Sequence, residues 1–141
     1  GEEDGWGTVG AVALDVHGNV AAATSTGGMT GKPRGRVGDT PIIGAGTWAD
    51  TTVAVSCTGV GEAFIRTVAA HSVAVHHQHT GLDEAAERVL NEVAPYGGRG
   101  GLIAVNTEGQ VVLPFQTMLM YRGLYRDGTV RVGIGPDFIQ S

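Results

Sequence analysis

The chain has 141 residues, the length of a single domain. Hydrophobic residues make up 42% of it and charged residues 16%, which indicates a folded core and excludes a disordered chain. Fourteen acidic and nine basic side chains give a net charge of −5, so nucleic-acid binding is not expected. Every apolar stretch is shorter than the ~18–20 residues that cross a bilayer, so a membrane protein is not expected either.

Two further features of the composition are a high glycine content and a single cysteine. Ordered glycines cost backbone entropy, so 24 of them predict many tight turns and close approaches between backbone segments. Because Cys57 is the only cysteine, neither an intrachain disulfide nor a cysteine cluster for zinc is expected. With no signal-peptide pattern at its start, the sequence favours cytoplasmic residence.

The first predicted element is a β-hairpin that begins at Thr8. Residues 1–7 are acidic and glycine-rich and are interpreted as a linker. β-prone residues follow at 9–14 and 20–25, with turn residues between them. Residues 27–41 contain too many Gly and Pro for regular structure, which predicts a loop with three positive charges and Asp39.

The middle of the chain predicts strands followed by helices. Strands are expected over 42–48 and 53–57, and the second is ended by the glycine-rich segment 58–61. Helical spacing over 63–75 predicts a helix that Gly81 closes.

A second helix and a second hairpin complete the predicted elements. The helix covers 82–93, with acidic residues at its positive end and Pro95 beyond it. The hairpin strands are expected at 102–105 and 110–114, after a glycine-rich crossing at 97–101. This order favours an antiparallel sheet with helices packed on it, and a partner chain is expected to complete the sheet.

Four histidines, which are common metal ligands, lie in or just after the first predicted helix. Metal-binding helices place histidines at i and i+4 with a third ligand on the same face. His71, His76, His77 and His79 have other spacings, so a structural or solvated role is expected and no metal is predicted.

Neither glycine-rich segment has the pattern of a nucleotide-binding loop. Segments 97–101 and 58–61 lack the Lys-Ser/Thr of a P-loop and the full dinucleotide fingerprint. The first favours a turn. The second joins a strand to a helix N-terminus, where free N–H groups favour negative charge, although a plain turn explains its glycines equally well.

Hydroxyl groups and charges recur in four short clusters. Thr8 follows Gly7, and further clusters lie at 24–28, 35–39 and 56–59. Brought together, they would supply a nucleophile, an orienting hydroxyl, paired charges for the ends of an amino acid, and an oxyanion site. These are the parts needed for amide hydrolysis without a Ser-His-Asp triad.

These motifs closely resemble the β subunit of the isoaspartyl peptidase/L-asparaginase family, the plant-type asparaginases. The resemblance runs from Gly7 to about Arg122 through TVGAVALD, TSTGGMTGK, GRVGD, SCTGVGE and LPF. It implies the αββα sandwich of N-terminal nucleophile hydrolases, an α+β fold completed by an α subunit that this sequence does not include. Residues 1–7 would then end the precursor linker and 8–141 would form the catalytic half of one domain, in a dimer of αβ units.

The resemblance also implies the origin of the nucleophile. Precursors in this family cleave themselves at a Gly–Thr bond, which matches Gly7–Thr8. Thr8 would then be the nucleophile, and its freed α-amino group, with a pKa of ~8, would be the general base. Thr26 would orient Thr8 through a hydrogen bond.

Substrate binding is implied for three further residues, and a catalytic role at the oxyanion for two. Arg36 and Asp39 would bind the α-carboxylate and the α-amino group of an aspartyl or asparaginyl substrate. The Thr58 hydroxyl and the Gly59 N–H would stabilise the oxyanion. Gly61, with no Cβ in the way, would expose its carbonyl or N–H group to the amino-acid end of the substrate.

The implied reaction is hydrolysis of the side-chain amide of L-asparagine or of β-aspartyl dipeptides, with no metal or organic cofactor. Two alternatives remain open: a glycosylasparaginase-like amidase, and a non-catalytic homologue or unprocessed precursor that only binds amino acids. Gly7 before Thr8 and the GGMTGK loop disfavour the first. Val60 and residues 116–120 depart from the family pattern, and the tail from Asp127 gives no prediction.

Overall fold

The predicted hairpin at the start of the chain is confirmed. The computed structural model describes residues 7–137 and the short strand at 139–140, so the predicted linker at 1–7 lies, apart from Gly7, outside the described residues. Strand β1 (Val9–Leu14) pairs antiparallel with β2 (Val20–Ser25). The Asp15 carboxylate accepts hydrogen bonds from the backbone N–H groups of His17 and Asn19, which closes the turn between the strands.

A four-stranded antiparallel sheet forms the centre of the fold. Its strands, in spatial order, are β3 (Thr47–Ala49), β4 (Val53–Gly59), β5 (Gly100–Asn106) and β6 (Val111–Val112). The second predicted hairpin is therefore confirmed as β5 and β6. Most of β4 and β5 is buried, which is why both segments are rich in Val and Ala.

The strand predicted over 42–48 is wrong for most of its length. Only its end belongs to β3, because the backbone before it is hydrogen-bonded in a turn. The Asp39 carbonyl accepts hydrogen bonds from the N–H groups of Ile42 and Gly46, 2.9 and 3.1 Å away, so these groups pair with the turn instead of a neighbouring strand.

Two helices replace the single helix predicted over 63–75. Helix α1 (Gly61–Arg66) and helix α2 (Ala69–His77) are separated at Val68, whose φ of 50° and ψ of 50° are left-handed. A β-branched residue adopts this conformation rarely, so side-chain spacing did not predict the break. Gly81 does not close this helix but lies just before α3 (Leu82–Val93), which has the predicted bounds.

The central sheet lies between the helices and the hairpin. Alternate residues of a strand point to opposite faces, and on β4 the side chains of Val53, Val55 and Cys57 join the helices in one hydrophobic core. Ser56 points the other way and contacts the hairpin. Within the described residues the layers are therefore helices, sheet and hairpin, which confirms the predicted α+β class.

The C-terminal part of the chain forms a separate three-stranded sheet that the sequence did not predict. Its strands are β7 (Arg122–Arg126), β8 (Thr129–Gly133) and β9 (Ile139–Gln140), paired in that order. Asp127 and Gly128 both have positive φ between β7 and β8, the conformation that a two-residue hairpin loop requires. No helix in the described part of the chain is long and apolar enough to cross a membrane.

Candidate active site

A polar pocket lies where the start of the hairpin, the loop at 27–41 and the end of β4 meet. Six of the predicted site residues line it, and Gly61 adjoins it; Thr58 is not among the lining residues. The lining residues are Gly7, Thr8, Thr26, Gly28, Met29, Arg36, Gly38, Asp39, Thr40 and Gly59. The structure thus brings together residues that are far apart in the sequence.

The hairpin register places the two predicted hydroxyl groups side by side. Val9 pairs with Ser25, so the next residues outward, Thr8 and Thr26, face each other. The Thr8 hydroxyl donates to the Thr26 hydroxyl oxygen over 3.4 Å. The N–H of Gly28 donates to the same oxygen over 3.0 Å, which holds the Thr26 side chain towards Thr8.

A second pair of hydroxyl groups attaches the hairpin to the central sheet. The Oγ atoms of Thr24 and Ser56 are 2.7 Å apart, and the Thr24 hydroxyl is also 3.2 Å from the Gly46 carbonyl oxygen. These partly buried contacts connect β2 to β4 close to the pocket. The position of Thr8 relative to the end of β4 therefore depends on packing between two sheets.

Arg36 makes a two-point ion pair that the sequence analysis missed. Its Nε and Nη2 atoms donate to the two carboxylate oxygens of Glu62, over 2.8 and 3.1 Å. The hydrogen bond raises the pKa of Arg36 and lowers the pKa of Glu62, so both groups are charged at neutral pH. Glu62 ends the SCTGVGE motif, but nothing in the sequence spacing connects it to Arg36.

Asp39 lines the pocket and has a buried carboxylate. The residue is only 5% exposed, and its Oδ2 atom has no hydrogen-bond partner among the described residues. Burial raises the pKa of Asp39 from 3.8 to about 6, although its own backbone N–H and the charge of Arg36 favour the ionised form. A buried acceptor without a partner, close to a guanidinium, is suited to an ammonium group of a ligand.

Gly61 leaves the space between these two charged groups open. A Cβ atom at this position would lie 3.0 Å from Arg36 Nη2 and 3.0 Å from Asp39 Oδ1. Gly61 is the first residue of α1, so the helix begins directly beside the two charges. Any side chain at position 61 would compete for the volume that a ligand bound to both groups would use.

The end of β4 provides the remaining predicted residues. Gly59 has a φ of 151°, which a glycine adopts easily, and a Cβ there would lie 2.4 Å from the Arg99 carbonyl oxygen. Thr58 precedes it on the strand and pairs with Gly101 of β5. The strand continues to Gly59, two residues further than predicted, and Val60 leads into the helix. The oxyanion role of Thr58 and Gly59 stays a prediction.

The histidines have contacts with neighbouring protein groups. His76 Nε2 is 2.9 Å from Glu92 Oε1, and the His77 ring lies between the Thr80 carbonyl and the Asn106 amide. The ring of His71 packs edge-on against Trp48. In the part of the chain that the structure describes, no group of three His, Cys, Asp or Glu residues is arranged to hold a metal ion.

The pocket combines a hydroxyl nucleophile candidate at a Gly–Thr peptide with a guanidinium and a buried carboxylate. A site for a small ligand with an α-carboxylate and an α-ammonium group, next to a hydroxyl that attacks its carbonyl, needs this combination of groups. The roles of the individual residues stay predictions. A sequence profile described as asparaginase matches residues 1–134, and the chain belongs to this asparaginase family.

Several curated proteins are similar to the chain over nearly all of its length. The chain is 56% identical to the isoaspartyl peptidase of Escherichia coli (strain K12) over 138 residues, which are 94% of this chain and 43% of that protein. It is 46% identical over 137 residues to the isoaspartyl peptidase/L-asparaginase of Xenopus laevis, covering 94% of this chain and 44% of that protein. The corresponding human protein is 45% identical over 134 residues, 93% of this chain and 44% of that protein. The chain spans less than half the length of these relatives.

Proposed function

We propose that this chain is the catalytic half of a threonine N-terminal nucleophile hydrolase that acts on L-asparagine and β-aspartyl dipeptides. The observation that carries the proposal is the convergence of Thr8, Arg36 and Asp39 on one pocket. The names of the relatives, isoaspartyl peptidase and isoaspartyl peptidase/L-asparaginase, support the same substrate class.

The first step of the proposed function is cleavage between Gly7 and Thr8. The Thr8 hydroxyl attacks the Gly7 carbonyl carbon, the peptide bond breaks, and water hydrolyses the ester that results. Both residues line the pocket, which supports cleavage at this bond. The step frees the Thr8 α-amino group, whose pKa of ~8 suits a general base at neutral pH. With Gly7 attached, Thr8 has no free amine, so an uncleaved chain would only bind substrate.

The second step is attack on the substrate. The Thr8 amine takes the hydroxyl proton, and Oγ bonds to the side-chain amide carbon of asparagine or to the β-peptide carbon. The C–N bond then breaks, and the proton passes to the leaving ammonia or amino acid. Water hydrolyses the aspartyl ester, which releases L-aspartate and restores Thr8. Thr26 would orient the nucleophile, and Thr58 and Gly59 would stabilise the oxyanion, where one lost donor typically costs ~10²–10³ in rate.

Arg36 and Asp39 would bind the charged end of the substrate. The free edge of the guanidinium matches the α-carboxylate, because a planar fork can donate two parallel hydrogen bonds. The unpartnered Oδ2 of Asp39 would accept from the α-ammonium group. Gly61 would leave the space between them for the substrate's α-carbon. Neither organic cofactor nor metal takes part in these steps.

The proposed assembly is an αββα sandwich completed by an α subunit. The three layers described here end at the hairpin, whose outer face exposes small apolar side chains: Val9, Ala11, Ala13, Ala21 and Ala23. A further layer on this face would bury them. Residues 1–7 as the end of a precursor linker, residues 8–141 as the β subunit, a dimer of αβ units and cytoplasmic residence all stay predictions.

The experiment that tests this function combines cleavage and turnover in the full-length protein. Denaturing mass spectrometry is expected to detect a fragment that begins at Thr8, and ammonia release from L-asparagine and L-aspartate release from a β-aspartyl dipeptide are expected to follow. The Thr8→Ala variant is expected to show neither cleavage nor turnover. Turnover that persists in this variant, or a wild-type protein that stays whole and inactive, would contradict the proposal.

A further inference from the structure

The guanidinium of Arg36 has two edges that can bind a carboxylate, and the structure fills one of them. The edge formed by Nε and Nη2 is bound to both oxygens of Glu62. The other edge, formed by Nη1 and Nη2, is the one left for a second planar anion. Glu62 therefore decides which edge of Arg36 a ligand can use.

Two glycines border the free edge. A Cβ at Gly38 would lie 3.0 Å from Nη1, and a Cβ at Gly61 would lie 3.0 Å from Nη2. Side chains at these positions would crowd the edge, so the glycines keep it open. Gly38 also lines the pocket, which places the free edge on the pocket side of Arg36.

Arg36 and Glu62 are buried to different extents, which agrees with one edge of the guanidinium facing Glu62 and the other facing the pocket. The Arg36 side chain is 15% exposed, whereas the Glu62 side chain is 55% exposed. Glu62 is not among the residues that line the pocket. It therefore contacts Arg36 from the solvent side, and it connects the loop at 27–41 to the first turn of α1.

We propose that Glu62 is a positioning residue that holds Arg36 with its Nη1–Nη2 edge towards the α-carboxylate of the substrate. This inference rests on the proposed function. An unrestrained arginine loses rotamer freedom when it binds a ligand, and a fixed one does not. The proposal requires that the gain from fixing Arg36 exceed the repulsion between the carboxylates of Glu62 and the substrate, which the bound guanidinium separates.

The variant Glu62→Gln tests the proposal with little change in shape. In the cleaved enzyme, KM for a β-aspartyl dipeptide is expected to rise about tenfold while kcat changes less than about twofold, because only binding of the charged end is affected. The preference for this dipeptide over an analogue whose α-carboxylate is replaced by a carboxamide, given by the ratio of their kcat/KM values, is expected to fall by a similar factor. A merely structural role would lower activity towards both substrates equally.

Glu84→Gln is the matched control, because Glu84 is another exposed carboxylate in the first turn of a helix. Its KM and selectivity are expected to equal those of the wild type. An unchanged or lower KM in Glu62→Gln would overturn the inference, and the lower value would show that repulsion dominates. If the wild-type enzyme is active, these results leave the proposed function intact; an inactive wild type would instead contradict the proposed function itself.

A double-mutant cycle separates positioning from a direct role of Glu62. Glu62→Ala is expected to raise KM in the wild-type background and to add nothing in an Arg36→Ala background, because its effect passes through Arg36. Additive increases in KM would overturn the inference. Cleavage between Gly7 and Thr8 is expected in every variant, and it reports that each one folds.

Discussion

Gly10 crosses Ser56 so closely that a Cβ at position 10 would lie 2.1 Å from the Ser56 hydroxyl oxygen. The two residues belong to different sheets, and the crossing lies two residues beyond Thr8. The absence of a side chain at position 10 therefore allows the hairpin to approach β4. The distance between Thr8 and the rest of the pocket depends on this approach.

Gly10→Ala is expected to separate the two sheets. Relieving the overlap costs about 1–3 kcal/mol of the free energy of unfolding, as for other overpacked sites, and turnover is expected to fall at least about tenfold. Thermal unfolding and steady-state kinetics measure the two effects.

Adding Ser56→Gly to Gly10→Ala is expected to restore part of the turnover. Gly123→Ala is the control and is expected to match the wild type, because a Cβ at position 123 would meet no atom within 4 Å outside the adjacent residues. A Gly10→Ala variant with wild-type activity would contradict the expected separation of the sheets.

Thr26→Ala is expected to lower kcat about 10–100-fold with little change in KM. The hydroxyl of Thr26 contacts Thr8, the proposed nucleophile, and none of the groups proposed to bind the charged end of the substrate. Thr26→Ser keeps the hydroxyl and is expected to retain most of the activity. The prediction is refuted if the alanine and serine variants have the same kcat.

Asp39→Asn is expected to make the protein more stable at pH 7.5 while abolishing substrate binding. Burial raises the pKa of Asp39 from 3.8 to about 6, so the folded state binds this proton more tightly than the unfolded state. Stability from this group is therefore present at low pH and is lost as the pH rises from about 4 to about 6. The neutral variant avoids that loss, worth about 1–3 kcal/mol.

Thermal unfolding of both proteins at pH 4 and pH 7.5 measures the effect of Asp39→Asn. The variant is expected to be more stable at the higher pH, and the difference is expected to shrink at the lower pH. Equal free energies of unfolding for the two proteins at pH 7.5 would contradict the prediction, because the ionised Asp39 carboxylate would then not destabilise the folded state.

Gly61→Ala is expected to raise KM at least about tenfold. The new methyl group would press on Arg36 and Asp39 from 3.0 Å and would occupy the space between them. Because the atoms nearest to the methyl group belong to Arg36 and Asp39, cleavage at Gly7–Thr8 is expected to continue, and mass spectrometry checks this. A variant with unchanged KM would mean that substrate does not bind between the two charges.

Elements with a strong local pattern were predicted from the sequence. The first hairpin was predicted because β-prone segments flank a turn with Gly and Asn, and α3 was predicted because acidic residues and Pro95 mark its two ends. The break at Val68 was missed because a left-handed valine depends on tertiary contacts. The turn at 42–46 was mistaken for a strand because its apolar residues carry no sign of the hydrogen bonds to Asp39.

The candidate site was predicted through resemblance more than through spacing. Arg36 and Asp39 lie in one motif, and both line the same pocket as Thr8. The contact between Arg36 and Glu62 joins residues that are 26 positions apart, and no periodic pattern connects a loop to a helix over such a distance. An ion pair between residues this far apart in the sequence can be identified only from the folded structure.

The left-handed turn at Val68 determines where the first amide groups of α2 point. The N–H groups of Ala70 and His71 donate to the Ala45 and Gly44 carbonyls, over 3.0 and 2.8 Å. These two hydrogen bonds hold the turn at 42–46 in place. The same turn is bonded to the Asp39 carbonyl through the N–H of Gly46. Anchorage of the buried carboxylate thus begins at the kink between α1 and α2, so a substitution at Val68 would shift Asp39 without altering any residue that lines the pocket.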